Sequence, residues 1–531
     1  MPKKIEKIVI VGGGSAGWMS AAHLAVAMQD RGVEIVVVDS PNIPIVGVGE
    51  STLGQIRNWT YALGIDERDF MSKTNASYKM SIKFTDFYNK DSGSFHYPFG
   101  NPVFTDAPEG LQEWLAKKII YPDTPVQDYA RTFYPVMPLV ENNKYTPNEF
   151  GELDGFRSDL SVAYHFDSAL FGQWLRTDFA MPKGVKNIQQ TVVDIQVDEN
   201  GIKHLELENG DIVTADLFID CTGWKSLLLA GALKEPFVSW EDKLPNNKAW
   251  AVQIPYKEKE KELEPYTNCT AINNGWVWNI PLWSRLGTGY VYSDKFISDE
   301  DAKEEFKQYL MSNKVTVPRS KEEVDSFEYR NITMRVGIHE RTWVKNVVAI
   351  GLSAGFIEPL ESNGLFTVHE FLSNLVNTLE REYVNQWDKD VYNAGCLGMY
   401  NNFAEFVCLH YALSVRDDTP YWKSVSNKTF DPTMVNRTPS INSGFAELAN
   451  RKLINFAHTD QGGIHCIATG MNYLVLHKQN MLFAQNHRSV DPKIHCDEFI
   501  FRRKFLTDKW QAIADKSPTL YQWLKDNIYG V

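Results

Sequence analysis

Gly12, Gly14 and Gly17 stand at the spacing G-x-G-x-x-G in Gly12-Gly13-Gly14-Ser15-Ala16-Gly17-Trp18, directly after the apolar run 8–11. Glycines so placed let the backbone turn tightly and come close to a pyrophosphate, and the helix that follows points its N-terminal N–H groups at the phosphate charge. Asp39 closes a second β-branched run, 33–38, and lies 22 residues beyond Gly17, where a carboxylate accepts from a ribose hydroxyl. Together these parts predict a bound dinucleotide. Lys79 sits in the alternating stretch 78–85. A lysine amine in a desolvated pocket loses its proton readily and can donate to a reagent or attack it. On spacing alone, Lys79 shares the outward face of a strand with Ser81, Lys83 and Thr85, opposite Tyr78, Met80, Ile82 and Phe84. Glu361, in Leu360-Glu361-Ser362-Asn363-Gly364, precedes an apolar run; it can act as a base, or with Ser362 simply start a helix at Leu365. Trp276 and Trp278 are one residue apart, so on a strand both face the same side, as core packing or as a wall.

The elements that must position these residues begin with strand, glycine turn, helix (16–29) and strand within about thirty residues, a unit that builds a parallel sheet. Residues 53–63 and 168–175 have helical spacing, and 191–219 carry short β runs around Glu199-Asn200-Gly201 and Asn209-Gly210. Residues 347–350 form another apolar strand, whereas 86–160, rich in Pro, Asp, Asn and aromatics, read as loops. Beyond about residue 366 the pattern is mainly helical, at 367–388, 393–415, 444–457 and 497–530. There is no repeat and no low-complexity linker.

Composition narrows the partners. The chain has 531 residues and a formal charge of −13 with no block of like charge, which argues against nucleic acid or an anionic membrane. Six cysteines carry no C-x-x-C spacing, and the only close His/Cys pairs are His465-Cys466 and His495-Cys496, so reduced thiols are expected and no metal site. Met1-Pro2-Lys3-Lys4-Ile5 leads straight into a strand without an apolar signal region, and no apolar run is long enough to span a bilayer, so a cytoplasmic protein is expected.

Several segments carry a resemblance. Asp216-Leu217-Phe218-Ile219-Asp220-Cys221-Thr222-Gly223, and Val348-Ala349-Ile350-Gly351 followed by Phe356-Ile357-Glu358-Pro359, resemble flavin-contacting segments of flavoprotein monooxygenases. Trp276-Val277-Trp278-Asn279-Ile280-Pro281 resembles the W-x-W-x-I-P signature of flavin-dependent halogenases, the tryptophan-halogenase superfamily. So do Gly47-Val48-Gly49-Glu50-Ser51-Thr52, Tyr78-Lys79 and Phe356-x-x-Pro359-x-x-Ser362-x-Gly364; Tyr164-His165-Phe166-Asp167 and His410-Tyr411 also look familial. The resemblance implies an α/β chain with an FAD-binding, Rossmann-like flavoprotein monooxygenase fold, an inserted β-sheet and a mainly helical C-terminal substrate-binding part. Residues 1–388 would form the FAD-binding module and 389–531 the helical part packed on it.

The same resemblance implies roles. Reduced FAD and O2 convert a bound halide to hypohalous acid, which travels to a separate substrate pocket. No second glycine fingerprint offers a nicotinamide domain, so FADH2 would come from a separate flavin reductase. Lys79 would direct the hypohalous acid, by hydrogen bonding or as a haloamine, and Glu361 would stabilise the cationic ring and help remove its proton. Gly12, Gly14, Ala16, Gly17, Asp39, Glu50, Ser51, Val193, Leu352 and Leu365 would hold the cofactor. The backbone N–H groups of Asn363 and Gly364 would hold the halide; the family usually has threonine at the position of Asn363, so bromide and iodide belong beside chloride in any test. Trp276, Trp278 and Pro281 would wall the substrate off from the flavin, and His96 would face the substrate pocket. The expected substrate is a small free aromatic molecule, indole, phenol or pyrrole, and self-association is left open. Two other readings stand beside this one: a flavin monooxygenase that hydroxylates or epoxidises, and a non-catalytic flavin-binding scaffold.

Overall fold

The computed structural model describes residues 4–42, 49–103, 114, 117–381, 383–426, 461–472 and 491–531. A six-stranded sheet runs Trp343–Val344, Val347–Ala349, Leu217–Asp220, Lys7–Val11, Glu34–Asp39, Lys186–Gln189, parallel throughout except at its first pair. Ile8 is opposite both Leu217 and Ile35. Residues 8–11 and 35–38 are all buried, as the central strands of a parallel sheet are. The helix Ser15–Ala27 packs on this sheet with Trp18, Met19, Ala22 and Leu24 buried. Thus the strand–turn–helix–strand unit forms as the glycine spacing predicts.

A seven-stranded sheet runs Arg330–Thr333, Lys248–Ile254, Leu286–Tyr292, Gly275–Pro281, Tyr266–Ile272, Ser81–Thr85, Ser94–Pro98. It is antiparallel except where Tyr266–Ile272 lies parallel to Ser81–Thr85. A small sheet places Ala163–Asp167 between Gly49–Ser51 and Ser77–Lys79. Residues 78–85 are therefore not one strand. The chain leaves the small sheet after Lys79 and enters the large one at Ser81, with the Met80 N–H donating to the Pro265 carbonyl at 2.7 Å. Both faces of Ser77–Lys79 are covered, so Lys79 is buried rather than on an outward face.

Residues 86–160 hold more structure than their composition suggests: the strand Ser94–Pro98 and helices Asp128–Phe133, Met137–Glu141 and Ser158–Ser161. Phe95 and Tyr97 pair with Phe84 and Ile82 across the sheet, and this partner, distant in composition terms, overrides a Pro- and Asp-rich sequence. Helices occupy Ile56–Ala62, Ser168–Trp174, Gly364–Leu379, Gln386–Ala412 and Pro492–Lys516, close to the predicted spans. The predicted helix at 444–457 falls outside the described residues. No described helix is long and apolar enough to cross a membrane.

Candidate active site

The three fingerprint glycines divide their work. Gly12 has φ +114°, and a Cβ on it would lie 2.2 Å from the Cys221 carbonyl oxygen; a Cβ on Gly17 would lie 1.9 Å from the Gly12 carbonyl oxygen. These two bring backbone against backbone. A Cβ on Gly14, in contrast, would meet nothing within 4 Å. The open side of Gly14 at the N-terminus of Ser15–Ala27 is the cradle a pyrophosphate needs, so the residues fit a dinucleotide. Asp39 ends its strand beside this turn, held by Asn187 Nδ2 at 2.6 Å. Ala16 touches the next contact region, since a Cβ on Gly351 would come within 2.8 Å of its own; Leu352 follows Gly351 in the same turn. Val193 lies on Val192–Asp198 and is 59% exposed. Its segment is tied to the end of the Asp39 strand by Ser40 Oγ and Thr191 Oγ1, 2.8 Å apart.

Glu50 and Ser51 lie on Gly49–Ser51, opposite Phe166 and His165; Gly47 and Val48 are outside the described residues. Burial, and then the neighbouring Asp167, push the Glu50 carboxyl up to about 7. The strand pairing of Ala163–Asp167 with both edges puts Ser51 within reach of Lys79's neighbourhood.

Lys79 and the Glu361 turn, 282 residues apart in sequence (361 − 79), meet directly. Lys79 Nζ donates to Ser362 Oγ at 2.7 Å and to the Thr52 carbonyl at 2.9 Å, with the Phe99 ring centroid 5.0 Å away. Burial lowers its pKa to about 7, opposed by the nearby Glu361 and Cys269. An amine at that value is present in both forms near neutrality, able to donate as an ammonium or attack as a free base.

Glu361 ends the short 3-10 turn Pro359–Glu361; Ser362 follows at φ 59°, a left-handed conformation costly for a residue with a side chain, and Gly364–Leu379 begins two residues later. The turn rather than the helix start fixes Glu361, so the helix-capping role expected as its alternative does not describe its side chain. Glu361 is fully buried, and neither carboxylate oxygen has a directed hydrogen bond among the described residues. His410 Nε2 stands 2.7 Å from Glu361 Oε1, within pairing distance but off the angles of a hydrogen bond. Its Nδ1 lies 3.1 Å from the Phe406 carbonyl oxygen, which only accepts, so Nδ1 is the donor there and Nε2 faces Glu361. The sequence showed His410 only as part of a familiar-looking segment, because nothing local to it points at Glu361. Asn363 is the N-cap residue of Gly364–Leu379, and a Cβ on Gly364 would meet nothing within 4 Å. The first N–H groups of a helix have no partner within it, and they suit a small anion. Leu365 is buried in the first turn.

Trp276 and Trp278 lie on Gly275–Pro281 with ring centroids 6.3 Å apart. Trp278 is half-buried and stands over Gly289, where a Cβ would lie 2.2 Å from its ring. Trp276 is fully buried, and its indole N–H donates to Glu358 Oε2 at 2.9 Å. The same oxygen accepts from Tyr411 at 2.7 Å and Asn246 at 2.8 Å. The Pro281 carbonyl accepts from Ser77 Oγ at 2.5 Å. His96 is buried, bonded to Ser81 Oγ at 3.0 Å and edge-on to Tyr266; burial, then Lys83 and Arg131, hold it well below the usual histidine value. Lys79, Glu361, Ser51 and the Asn363-Gly364 turn are therefore brought together, while His96 lies on Ser94–Pro98, paired with Lys83 of the strand that continues from Lys79.

Comparison with known proteins gives the family. The family model described as tryptophan halogenase matches residues 7–484. The chain is 34% identical over 454 residues to 7-chloro-L-tryptophan 6-halogenase KtzR of Kutzneria sp. (strain 744), covering 81% of this chain and 84% of that protein. Among solved structures, VirX1 in its apo form superposes with a TM-score of 0.89 at 36% identity, over 99% of this chain and 100% of its own. Tar14, a tryptophan C-6 flavin-dependent halogenase (chlorinase) from taromycin biosynthesis, gives 0.84 at 30% identity, over 98% and 99%.

Proposed function

This chain belongs to the tryptophan halogenase family, flavin-dependent enzymes that halogenate aromatic substrates, and from that premise we propose that it attaches halogen to a free indole or phenol through Lys79 and Glu361. The observation that carries the reading is the 2.7 Å hydrogen bond from Lys79 Nζ to Ser362, which joins two distant motifs into one buried site. FAD, when bound in reduced form, supplies with O2 the two-electron oxidation that turns halide into hypohalous acid. Residues 1–388 hold that cofactor and 389–531 cover the substrate, and a separate reductase delivers the reduced flavin. The Asn363 and Gly364 N–H groups hold the halide at the helix start. Lys79 then receives the hypohalous acid. As ammonium it donates to the reagent oxygen, which leaves as water; as free amine it attacks the halogen, the O–halogen bond breaks, the departing hydroxide takes a proton from the amine to leave as water, and the halogen is carried as a haloamine. Glu361 stabilises the positive ring and takes the proton lost from the carbon that gains halogen. Trp276 and Trp278 keep the substrate from the flavin.

The relatives' names, a chlorinase and a 7-chloro-L-tryptophan 6-halogenase, put indoles and chloride first in the test. A panel of small indoles and phenols is run with chloride, bromide and iodide, using reduced FAD regenerated by a flavin reductase, beside Lys79→Ala and Glu361→Gln. The parent is expected to give halogenated product, and each variant to lose about a hundredfold or more in rate. A Lys79→Ala protein as active as the parent refutes the role of Lys79. Oxygenated product without halogen points instead to a monooxygenase.

A further inference from the structure

Lys79 is one end of a buried chain of hydrogen bonds. Its Nζ donates to Ser362 Oγ; Ser362 Oγ is 3.0 Å from Ser51 Oγ, which is 2.6 Å from Thr267 Oγ1, which is 2.8 Å from His165 Nε2. On the far side of the ring, His165 Nδ1 is 3.4 Å from Ser77 Oγ, and Ser77 Oγ is 2.5 Å from the Pro281 carbonyl oxygen. Every side chain in this series is buried. It spans Gly49–Ser51, Ser77–Lys79, Ala163–Asp167, Tyr266–Ile272 and the Glu361 turn, and it ends on the last residue of the tryptophan motif.

The order of donors is set from that last residue. A carbonyl oxygen only accepts, so the Ser77 hydroxyl proton goes to Pro281 and Ser77 Oγ can only accept from the ring. The His165 Nδ1 therefore carries the proton; the Pro281 carbonyl also favours a proton on this ring, while burial and the charge of Lys79 keep the ring neutral. Nε2 must then accept from Thr267, Thr267 from Ser51, Ser51 from Ser362, and Ser362 from Lys79. Two N–H groups of Lys79 are used, on Ser362 and on the Thr52 carbonyl. In the neutral amine these are all the N–H groups there are, and the lone pair is left over. With the proton on Nε2 instead, every hydroxyl would turn and Ser362 would donate into that lone pair.

We propose that His165, held as the Nδ1–H tautomer, is a positioning residue that fixes the donor order of this chain and so leaves the Lys79 lone pair to the incoming reagent. The proposal rests on the reading that Lys79 handles the halogenating agent, and its test needs neither flavin nor halide. Three groups bear on the amine: Glu361 facing it, Cys269, whose thiol burial keeps uncharged, and neutral His165 at the far end of the chain.

Potassium cyanate supplies isocyanic acid, a small neutral electrophile to which a free amine adds to give a urea, and the mass of the Lys79 peptide reports the addition. In the parent, the rate of Lys79 carbamylation divided by the isocyanic acid concentration at each pH is expected to rise through about pH 7, the value to which burial brings the amine. Thr267→Val and His165→Leu free the Ser362 hydroxyl to turn, and should react about tenfold more slowly at pH 8, the effect of one added hydrogen bond on the amine. His165→Gln, whose amide oxygen can accept from Thr267, should recover part of the rate. Independently of any variant, long-range proton–nitrogen correlations in protein carrying nitrogen-15 histidine should show His165 protonated on Nδ1 only. A proton on Nε2, a Thr267→Val rate equal to the parent's, or a Lys79 inert to cyanate at every pH overturns the proposal. If these results hold and no substrate is halogenated, the functional reading fails and the tautomer lock stands.

Discussion

Lys79 holds its amine in a place that disfavours charge, and this has a measurable price in stability that depends on pH. Its pKa falls from the usual 10.5 to about 7, burial being the main cause. Between those two values the unfolded chain binds a proton that the folded chain does not, so stability rises with pH across that window. Below pH 7 the folded protein must bury the ammonium and the full cost is present. Lys79→Met removes the titration. Relative to the parent, it should therefore be more favourable at pH 6 than at pH 9, by roughly 2–3 kcal/mol for this shift. Urea unfolding of both proteins at the two pH values gives the difference, and a gap that does not change with pH would mean the amine is not perturbed. The same titration sets the chemistry. If the free amine attacks the reagent, halogenation increases through about pH 7 with a saturating concentration of substrate, whereas donation from the ammonium gives a decrease. The chain of donors that leaves the lone pair free favours the increase.

The strand Tyr266–Ile272 holds the site together. Thr267 is in register with Ile82 beside Lys79, Cys269 lies opposite both Phe84 and Trp278, and its thiol reaches the Leu360 carbonyl of the Glu361 turn at 3.8 Å. Next to it, Trp276 reaches the same turn from the other side through Glu358. The indole N–H thus anchors the segment that carries Glu361, a role separate from any barrier. Trp276→Phe keeps an aromatic ring but loses the donor and part of the indole's volume, and should cost roughly 1–3 kcal/mol, since Glu358 keeps its bonds from Tyr411 and Asn246 while the smaller ring leaves a gap in the core. An anchor predicts slower halogenation with no oxygenated product; a barrier predicts hydroxylated product instead, and product analysis by mass spectrometry separates them. None of this anchoring could be read from the sequence, and the reason is physical. The glycine fingerprint, Asp39 and the two tryptophans are local patterns, so spacing displays them. Lys79 misled because alternation reports which residues share a face and says nothing about whether a second sheet covers that face. His165, Thr267, Ser77 and His410 gain their meaning only from partners in other strands and helices, where spacing carries no signal.

At the scale of the molecule, the cofactor module is a complete sheet before any ligand arrives. Its central strands, Lys7–Val11 and Glu34–Asp39, are paired on both sides and their apolar residues are buried. The fold and the cofactor site should therefore be separable by mutation at adjacent glycines. Gly14 has φ −79° and ψ −174°, a conformation open to any residue, and its side faces free space. Gly14→Val should lower the stability without FAD by only about 1 kcal/mol, the cost of a poorer N-cap residue on Ser15–Ala27. The added side chain fills the pyrophosphate cradle, so the stabilisation that FAD gives the parent, about 2.7 kcal/mol at a hundred times Kd and read as a rise in melting temperature, should vanish. Gly17→Val does the reverse in order of cause. Its side chain would sit on the Gly12 carbonyl, backbone that cannot move without parting helix from strand, so the protein should lose several kcal/mol before any cofactor is added. Thermal melts of the three proteins with and without FAD test the pair. A Gly14→Val protein that still gains stability from FAD would place the dinucleotide somewhere other than this turn, whatever happens at Lys79.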